Sequence, residues 1–244
     1  PATAVVGAAA LTALSYALLT GYDMLALRYL GRVVPPRRTA LTAFIAYAFG
    51  HNLSLASFTG AAIRYRVYST LGLSTIDVAT VVSFCGLTTA IGVSVLAGVA
   101  LLLGPPGASV LRLGPPWSLL AGVLLLGWVA TYLAWASGST RALGLGSWRL
   151  RPPGARIALP QVALAIVELA VAAAVLWTLL PATGAPDFAT FAGVYALAIV
   201  GGVVSQVPGG LGVFETVLLL ALPQVPPTQL LGALLLLGGA LRAV

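Results

Sequence analysis

Long apolar runs, each close to the length of a membrane span, fill most of this chain. A helix needs about 20 mainly apolar residues to cross a bilayer. The candidate segments are residues 2–21, 40–60, 74–103, 117–136, 158–180, 188–204, 211–222 and 228–244. Hydrophobic residues make up 60% of the 244 and charged residues only 7%, and a water-soluble domain could not bury that much apolar surface. The sequence therefore predicts an all-α polytopic membrane protein.

The two ends of the chain and its cysteine content narrow the class of membrane protein further. No basic residue precedes the first run, and Tyr22-Asp23 rather than a small-residue cleavage site follows it, so we interpret this run as a membrane helix and not a signal peptide. The last run reaches Val244, and we expect residues 1–244 to be one integral membrane domain excerpted from a longer protein. Cys85 is the only cysteine, so we expect no disulfide framework, no thiolate metal cluster and no cofactor.

All twelve basic residues are arginines that cluster between apolar runs. The net charge of +7 would suggest a nucleic-acid partner for a soluble protein. In a membrane protein, basic residues between spans instead mark cytoplasmic loops, so we expect no nucleic-acid partner for this segment. The two most basic connections contain Arg28, Arg32, Arg37 and Arg38, and Arg141, Arg149, Arg151 and Arg156.

Both basic connections can be cytoplasmic only if one of the three segments between them turns back. Segment 40–60 is the best candidate because it carries polar residues around Gly50, whereas the other two segments are long and almost wholly apolar. We therefore predict that 40–60 is a re-entrant hairpin bent near Gly50.

Segment 211–222 predicts a second element that is too short to cross the membrane. As a helix, its 12 residues would cover about 18 Å, against a hydrocarbon core of about 30 Å. We predict about five full transmembrane helices and two re-entrant or broken elements, an arrangement that an inverted repeat would produce. A full helical hairpin with a cytoplasmic turn at Pro208 would leave the following connection on the same side of the membrane. This hairpin stays open as an alternative.

The break in the apolar pattern before that short run predicts a functional site. Gln206 to Glu215 contains Gly209, Gly210 and Gly212. Irregular backbone at membrane depth persists only where it is buried in protein or lines a polar cavity, and N–H groups at a helix N-terminus favour anions. Glu215, in the first turn after the glycines, is stabilised there with or without a ligand.

Charged residues inside the apolar runs are the next candidates. Glu168 lies about 10 residues from the nearer end of its segment, roughly 15 Å deep, where an ionisable side chain usually has a function. Asp23 follows the first run, and its alternative interpretation is an exposed carboxylate near Arg28. Arg64 and Arg66 fit phosphate recognition, although at least one of them is expected to snorkel to the lipid headgroups.

The remaining polar residues have simpler interpretations. His51 beside Asn52 fits a hydrogen-bonded bend better than a catalytic base. Asp77 completes a capping box that starts at Ser74, and Asp187 precedes a helix start, so both are predicted to be helix caps.

Three sequence blocks together resemble the membrane region of the multiple peptide resistance factor family. These bacterial proteins make aminoacylated phosphatidylglycerol and move it across the membrane. The blocks are Leu19–Leu27, Gly50–Tyr68 (Gly-His-Asn, then Thr-Gly-Ala-Ala-Ile-Arg-Tyr-Arg-Val-Tyr) and Pro208–Glu215 (Pro-Gly-Gly-Leu-Gly-Val-Phe-Glu). They occur in the family's order and span most of the chain.

The resemblance implies a function and a set of residues. It implies transfer of aminoacyl-phosphatidylglycerol, such as the lysyl or alanyl form, from the inner to the outer leaflet of the bacterial plasma membrane, which gives resistance to cationic antimicrobial peptides. An acidic residue, an arginine and a membrane glutamate map to Asp23, Arg64 and Glu168, the last only through its place in its helix. The family's tRNA-dependent aminoacyl transfer belongs to a separate soluble domain, so this segment is expected not to be catalytic.

Two other classes stay open. The first is an intramembrane lipid-modifying enzyme with Glu168 or His51 as general base, for which no metal or nucleophile motif is present. The second is a membrane anchor and homo-oligomerisation scaffold for a cytosolic aminoacyl-phosphatidylglycerol synthase. A scaffold has no need of buried charges, which destabilise a membrane domain unless they are paired.

The arginine distribution predicts the accessibility of two loops. In a Cys85→Ala background, Ser147→Cys should react with an impermeant thiol reagent only from the cytoplasmic side, and Ser109→Cys only from the outside. Labelling of both cysteines from one face would contradict the re-entrant assignment of 40–60.

Overall fold

The chain folds into a helical bundle with one short β-hairpin. The computed structural model describes residues 2–52, 56–104, 114–138, 143–145, 148–150, 152–181, 184–205, 207 and 212–242, with side chains except at 2, 50–52, 56–58, 115, 143–145, 148–150 and 237–242. The helices are α1 (Ala2–Tyr29), α2 (Pro36–Asn52), α3 (Ala56–Thr70), α4 (Thr75–Leu103), α5 (Pro115–Gly138), α6 (Ala155–Leu179), α7 (Phe188–Val204), α8 (Val213–Ala221) and α9 (Pro227–Arg242). The strands are β1 (Leu143–Leu145) and β2 (Trp148–Leu150), which pair antiparallel.

Helix length and composition confirm the predicted membrane class. In the described part of the chain, α1, α4, α5 and α6 are long and apolar enough to cross a bilayer. The expected fifth span, 228–244, corresponds to α9, of which the structure describes 16 residues, Pro227–Arg242. The β-hairpin was not predicted and lies in the second basic connection.

Helix α4 is the centre of the bundle. It packs against α1, α3, α5, α6 and α7, and half of its most apolar stretch is buried. Glycine makes one of these contacts possible, because a Cβ on Gly92 would lie 2.6 Å from the carbonyl oxygen of Ala165 in α6. Small residues at such crossings let helices approach closely in membranes, where packing replaces the hydrophobic effect as the driving force.

Two pairs of short helices complete the bundle. Helices α2 and α3 pack closely against each other, as do α7 and α8. Helix α2 continues through Gly50 to Asn52 and α3 begins at Ala56, so the connection near the predicted bend, residues 53–55, lies outside the described residues. Helix α8 has nine residues, so it is as short as expected. Re-entry into the membrane and an inverted repeat stay predictions.

Capping fixes where two of these helices begin. Ser74 accepts a hydrogen bond from the backbone N–H of Asp77, and the Asp77 carboxylate accepts one from the N–H of Ser74, so the predicted capping box is confirmed. Arg32 also pairs with Asp77 at 2.9 Å. Asp187 caps α7 by accepting from the N–H of Thr190, which holds the pKa of Asp187 below its usual range.

Apolar packing divides the interior between two main clusters. One lies between α1, α3 and α4 around Tyr22, Tyr68 and Val81. The other joins α6, α7, α8 and α9 around Phe191 and Leu218. Asp23 of α1 and Arg64 of α3 are buried beside the first cluster, so these two charges lie in the packed interior, whereas Arg28 and Arg66 of the same helices are exposed.

The contact at Gly92 predicts a stability difference between two glycines of α4. Gly92→Ala should lower the free energy of unfolding by about 1–3 kcal/mol, because the new methyl group meets backbone that cannot move easily. Gly86→Ala is the matched control, since a Cβ there meets no atom within 4 Å and alanine favours the helix. Thermal unfolding in detergent measures both variants. Equal stability of the two would contradict the close contact between α4 and α6.

Candidate functional site

Helix α1 carries Asp23 into the interior of the bundle. The helix continues to Tyr29, so Asp23 does not lie at its end as the sequence suggested. The Asp23 side chain is completely buried, and the alternative interpretation of an exposed carboxylate near Arg28 is wrong. A carboxylate in such a place needs hydrogen bonds and a counter-charge.

Arg64 of α3 supplies the counter-charge. Its Nε donates to Asp23 Oδ1 and its Nη2 donates to Asp23 Oδ2, both at 2.9 Å. The two parallel bonds form the bidentate geometry in which guanidinium holds a carboxylate or a phosphate most strongly. Arg64 is only 5% exposed, so the pair is closed off from its surroundings.

Three further side chains complete the shell around this ion pair. The Tyr68 hydroxyl donates to Asp23 Oδ1 at 2.9 Å, and the Cys85 thiol lies 3.7 Å from Asp23 Oδ2. The guanidinium carbon of Arg64 lies 4.6 Å from the centre of the Tyr47 ring, a cation–π contact. Helices α1, α2, α3 and α4 thus all contribute to one polar cluster.

A glycine of the second sequence block allows α3 to bring Arg64 to this position. A Cβ on Gly60 would lie 3.2 Å from the carbonyl oxygen of Ala46 in α2 and 3.5 Å from Nη1 of Arg64. Any side chain at this position would push α2 and α3 apart and crowd the guanidinium. The glycine therefore serves the site by close approach and not by unusual backbone conformation.

Glu168 lies on the other side of α1, in the middle of α6. Ser15 donates to its Oε1 at 2.8 Å and Tyr22 donates to its Oε2 at 3.3 Å. Glu168 is 7% exposed, and among the described residues no cation lies within ion-pair distance of it. A carboxylate has about four lone-pair positions, so two neutral donors leave it able to accept from an ammonium group.

Consecutive residues of α1 join the two carboxylates into one region. Tyr22 contacts Glu168 while Asp23 contacts Arg64, because successive side chains point about 100° apart around a helix. The structure therefore brings together the three residues to which the family resemblance pointed. Chemically, this region offers one guanidinium and two carboxylates in an apolar bundle.

The other predicted site residues lie apart from this region. Glu215 accepts from the N–H of Gly212 at 2.9 Å and so caps its own helix, α8. Arg66 is exposed, as expected for a snorkelling residue. Gly209 and Gly210 lie outside the described residues. His51 and Asn52 form the end of α2, and their side chains are likewise outside the described part.

Sequence reasoning missed the neutral partners of the charges, although helical spacing could have found some of them. Tyr68 lies four residues after Arg64 and therefore on the same helix face. Ser15 precedes Tyr22 by two helical turns, which places both on the side of α1 that meets Glu168. Cys85 gave no such signal, because its contact depends on how α4 packs. The described residues contain no group of three or more potential metal ligands.

Burial of the ion pair predicts how the protein responds to its loss. Arg64→Gln leaves the Asp23 carboxylate buried without a counter-charge and should lower the free energy of unfolding by about 3–5 kcal/mol. Adding Asp23→Asn should restore part of that loss, because the buried charge disappears. Arg66→Gln, an exposed arginine two residues away, is the matched control. Thermal unfolding of the wild type, both single variants, the double variant and the control measures the coupling, and additive losses from Arg64→Gln and Asp23→Asn would contradict a direct pair.

Comparison with known proteins places the chain among bacterial membrane proteins. No protein-family model matches it. It is 36% identical over 235 residues to an uncharacterized protein of Synechocystis, slr0712, covering 96% of this chain and 73% of that protein. It is 31% identical over 222 residues to the inner membrane protein YbhN of Escherichia coli K12, covering 88% of this chain and 67% of that protein.

The two similarities extend over most of the chain. Neither relative is described as a multiple peptide resistance factor, so lipid translocation is not part of what the similarity shows. The name of the second relative and the apolar helices of this chain together indicate a multi-pass membrane protein. The chain belongs to the family of the inner membrane protein YbhN.

Proposed function

We propose that this domain translocates an aminoacylated phosphatidylglycerol from the inner to the outer leaflet of the bacterial plasma membrane. The observation that carries the proposal is the buried, bidentate pair of Asp23 and Arg64 with Glu168 on the other side of α1. The lipid's headgroup carries a phosphate and at least one free amine. The region offers a partner for each of these groups.

Exchange of partners is the step that would admit the headgroup. The lipid phosphate replaces the Asp23 carboxylate on Arg64, since guanidinium binds both groups through the same pair of parallel hydrogen bonds. The released Asp23 carboxylate then accepts from the lipid's amine. Asp23 and Arg64 each have a charged partner before and after the exchange, so the headgroup does not leave either of them unpaired in the apolar bundle.

Glu168 provides the second position for an amine. It has two neutral donors and no described cation, so an ammonium group would supply the counter-charge that it lacks. A lysyl headgroup has two amines and would engage Asp23 and Glu168 together. Arrival of such a lipid in the outer leaflet lowers the negative surface potential that attracts cationic peptides.

A structural role for the same residues is the competing interpretation. The Asp23–Arg64 pair is complete without any ligand. A pair whose only role is to hold α1 against α3 would also be complete. In that case the domain would be an anchor for a synthase elsewhere in the protein, and its charges would affect stability alone. Transport measured together with stability separates the two functions.

The charge constellation predicts transport defects in reconstituted vesicles. Lysyl-phosphatidylglycerol confined to the inner leaflet would be detected at the outer leaflet with an impermeant amine reagent. Asp23→Asn, Arg64→Gln and Glu168→Gln should each slow its appearance about 10-fold or more, the effect of losing one hydrogen bond to a charged group.

Controls in the same assay identify the cause of any defect. Arg66→Gln should transport at the native rate, because Arg66 is exposed and outside the cluster. Thermal stability is measured on the same samples, so a defect counts only where the variant is folded at the assay temperature. Native transport by Glu168→Gln would remove that residue from the mechanism. If lipid moves no faster in vesicles with the wild-type protein than in protein-free vesicles, the translocation proposal fails and the anchor interpretation holds.

A further inference from the structure

A groove between α1 and α2 lies beside the charged region. It has a volume of about 400 Å³ and is lined by Ala9, Thr12, Ala13, Tyr16, Ala17, Thr20, Ala40 and Phe44. Four of these eight residues are alanines, so the groove exists because the facing side chains are small. Along α1 it extends from Ala9 to Thr20, which is about 17 Å of helix.

One hydroxyl in this groove has no hydrogen-bond acceptor. Thr12 donates to the carbonyl of Ala8 and Thr20 donates to the carbonyl of Tyr16, so both threonines are satisfied within their own helix. The Tyr16 hydroxyl is buried and finds no partner among the described residues. Hydrocarbon offers it none, and an unsatisfied buried hydroxyl is destabilising.

Aromatic packing fixes the position of this tyrosine. Its ring lies 5.1 Å from the ring of Phe44, centre to centre, so it connects α1 to α2. Tyr16 as a whole is 8% exposed, while Ala13 and Ala17 on either side of it are exposed. An apolar chain lying on those alanines would pass directly beside the tyrosine.

The groove and the ion pair lie on the same side of α1 at different heights along the helix. Tyr16 and Asp23 are two helical turns apart, on the same side of the helix and separated by about 10 Å of rise. Thr20 lies between them. The glycerol backbone of a phospholipid can bridge this separation, with its phosphate toward Arg64 and its ester groups toward Tyr16.

We propose that the groove holds one acyl chain of a glycerophospholipid from the cytoplasmic leaflet and that the Tyr16 hydroxyl donates to the ester carbonyl of that chain. The orientation follows from α1 itself, since Asp23 lies toward the end that carries Arg28, the predicted cytoplasmic end. The placement of the headgroup rests on the proposed function, whereas occupation of the groove does not.

The volume agrees with this ligand. Pockets for small ligands have volumes of roughly 300–1,000 Å³ and apolar walls with few polar groups. The groove has one polar group that is free to bond, and an acyl ester supplies one carbonyl.

Photocrosslinking tests the site directly. The full chain is reconstituted in phosphatidylcholine vesicles that contain phosphatidylglycerol with a photoreactive diazirine in the middle of one acyl chain. After irradiation, adducts mapped by mass spectrometry should concentrate on residues 9–20 and 40–44. Ala13→Leu should reduce these adducts severalfold because its larger side chain fills the groove. Ala130→Leu, the same change at an exposed position of α5, should leave them unchanged.

Competition between lipids tests the hydrogen bond. Unlabelled diester phosphatidylglycerol should displace the probe about fivefold better than its diether analogue, which has no carbonyl, an effect the size of one ordinary hydrogen bond. Tyr16→Phe keeps the ring and should abolish that preference. Adducts that are no denser in the groove than on α5, or that survive Ala13→Leu, would overturn the acyl-chain site. A diester preference that persists in Tyr16→Phe would overturn the role of Tyr16.

Neither readout requires transport. Groove adducts in a protein that fails to move lysyl-phosphatidylglycerol would disprove the proposed function and support the lipid site. Transport without groove adducts would disprove the lipid site and support the proposed function.

Discussion

The ion pair between Asp23 and Arg64 is the interaction on which the rest of the structure depends. Two full charges lie in the interior of an apolar bundle, and their desolvation is tolerable only because both hydrogen bonds of the fork form. Tyr68 occupies a further acceptor position of the carboxylate. The pair therefore requires α1 and α3 to meet at a fixed height and rotation.

Close contacts between backbones position the helices around that pair. Gly60 allows α2 to reach α3 beside Arg64, and Gly92 allows α4 to reach α6, the helix that carries Glu168. Helix α1 then lies between the two carboxylates and contacts each through one of two consecutive side chains. On its α2 side, the same helix lines an apolar groove from Ala9 to Thr20. The ion pair and the groove thus share one helix.

The sequence predicted the helices better than their contacts. Long apolar runs located most helices because lipid requires helical backbone. The depth of Glu168 followed from counting residues along its segment. The burial of Asp23 did not, because the residue that neutralises it lies 41 positions away and only packing brings the two together. For Glu215 the local sequence was enough, since a carboxylate in the first turn of a helix can accept a hydrogen bond from its own helix backbone. In α8, Glu215 accepts from the N–H of Gly212.

Partner exchange at Arg64 is the central claim, and the structure of the lipid-bound protein tests it most directly. Electron cryomicroscopy of the full protein in nanodiscs with lysyl-phosphatidylglycerol would show which group the guanidinium holds. We expect a phosphate oxygen within about 2.7–2.9 Å of an Arg64 nitrogen and the Asp23 carboxylate turned toward an amine of the lipid. A bound headgroup elsewhere in the bundle, with the Asp23–Arg64 pair intact, would contradict the account.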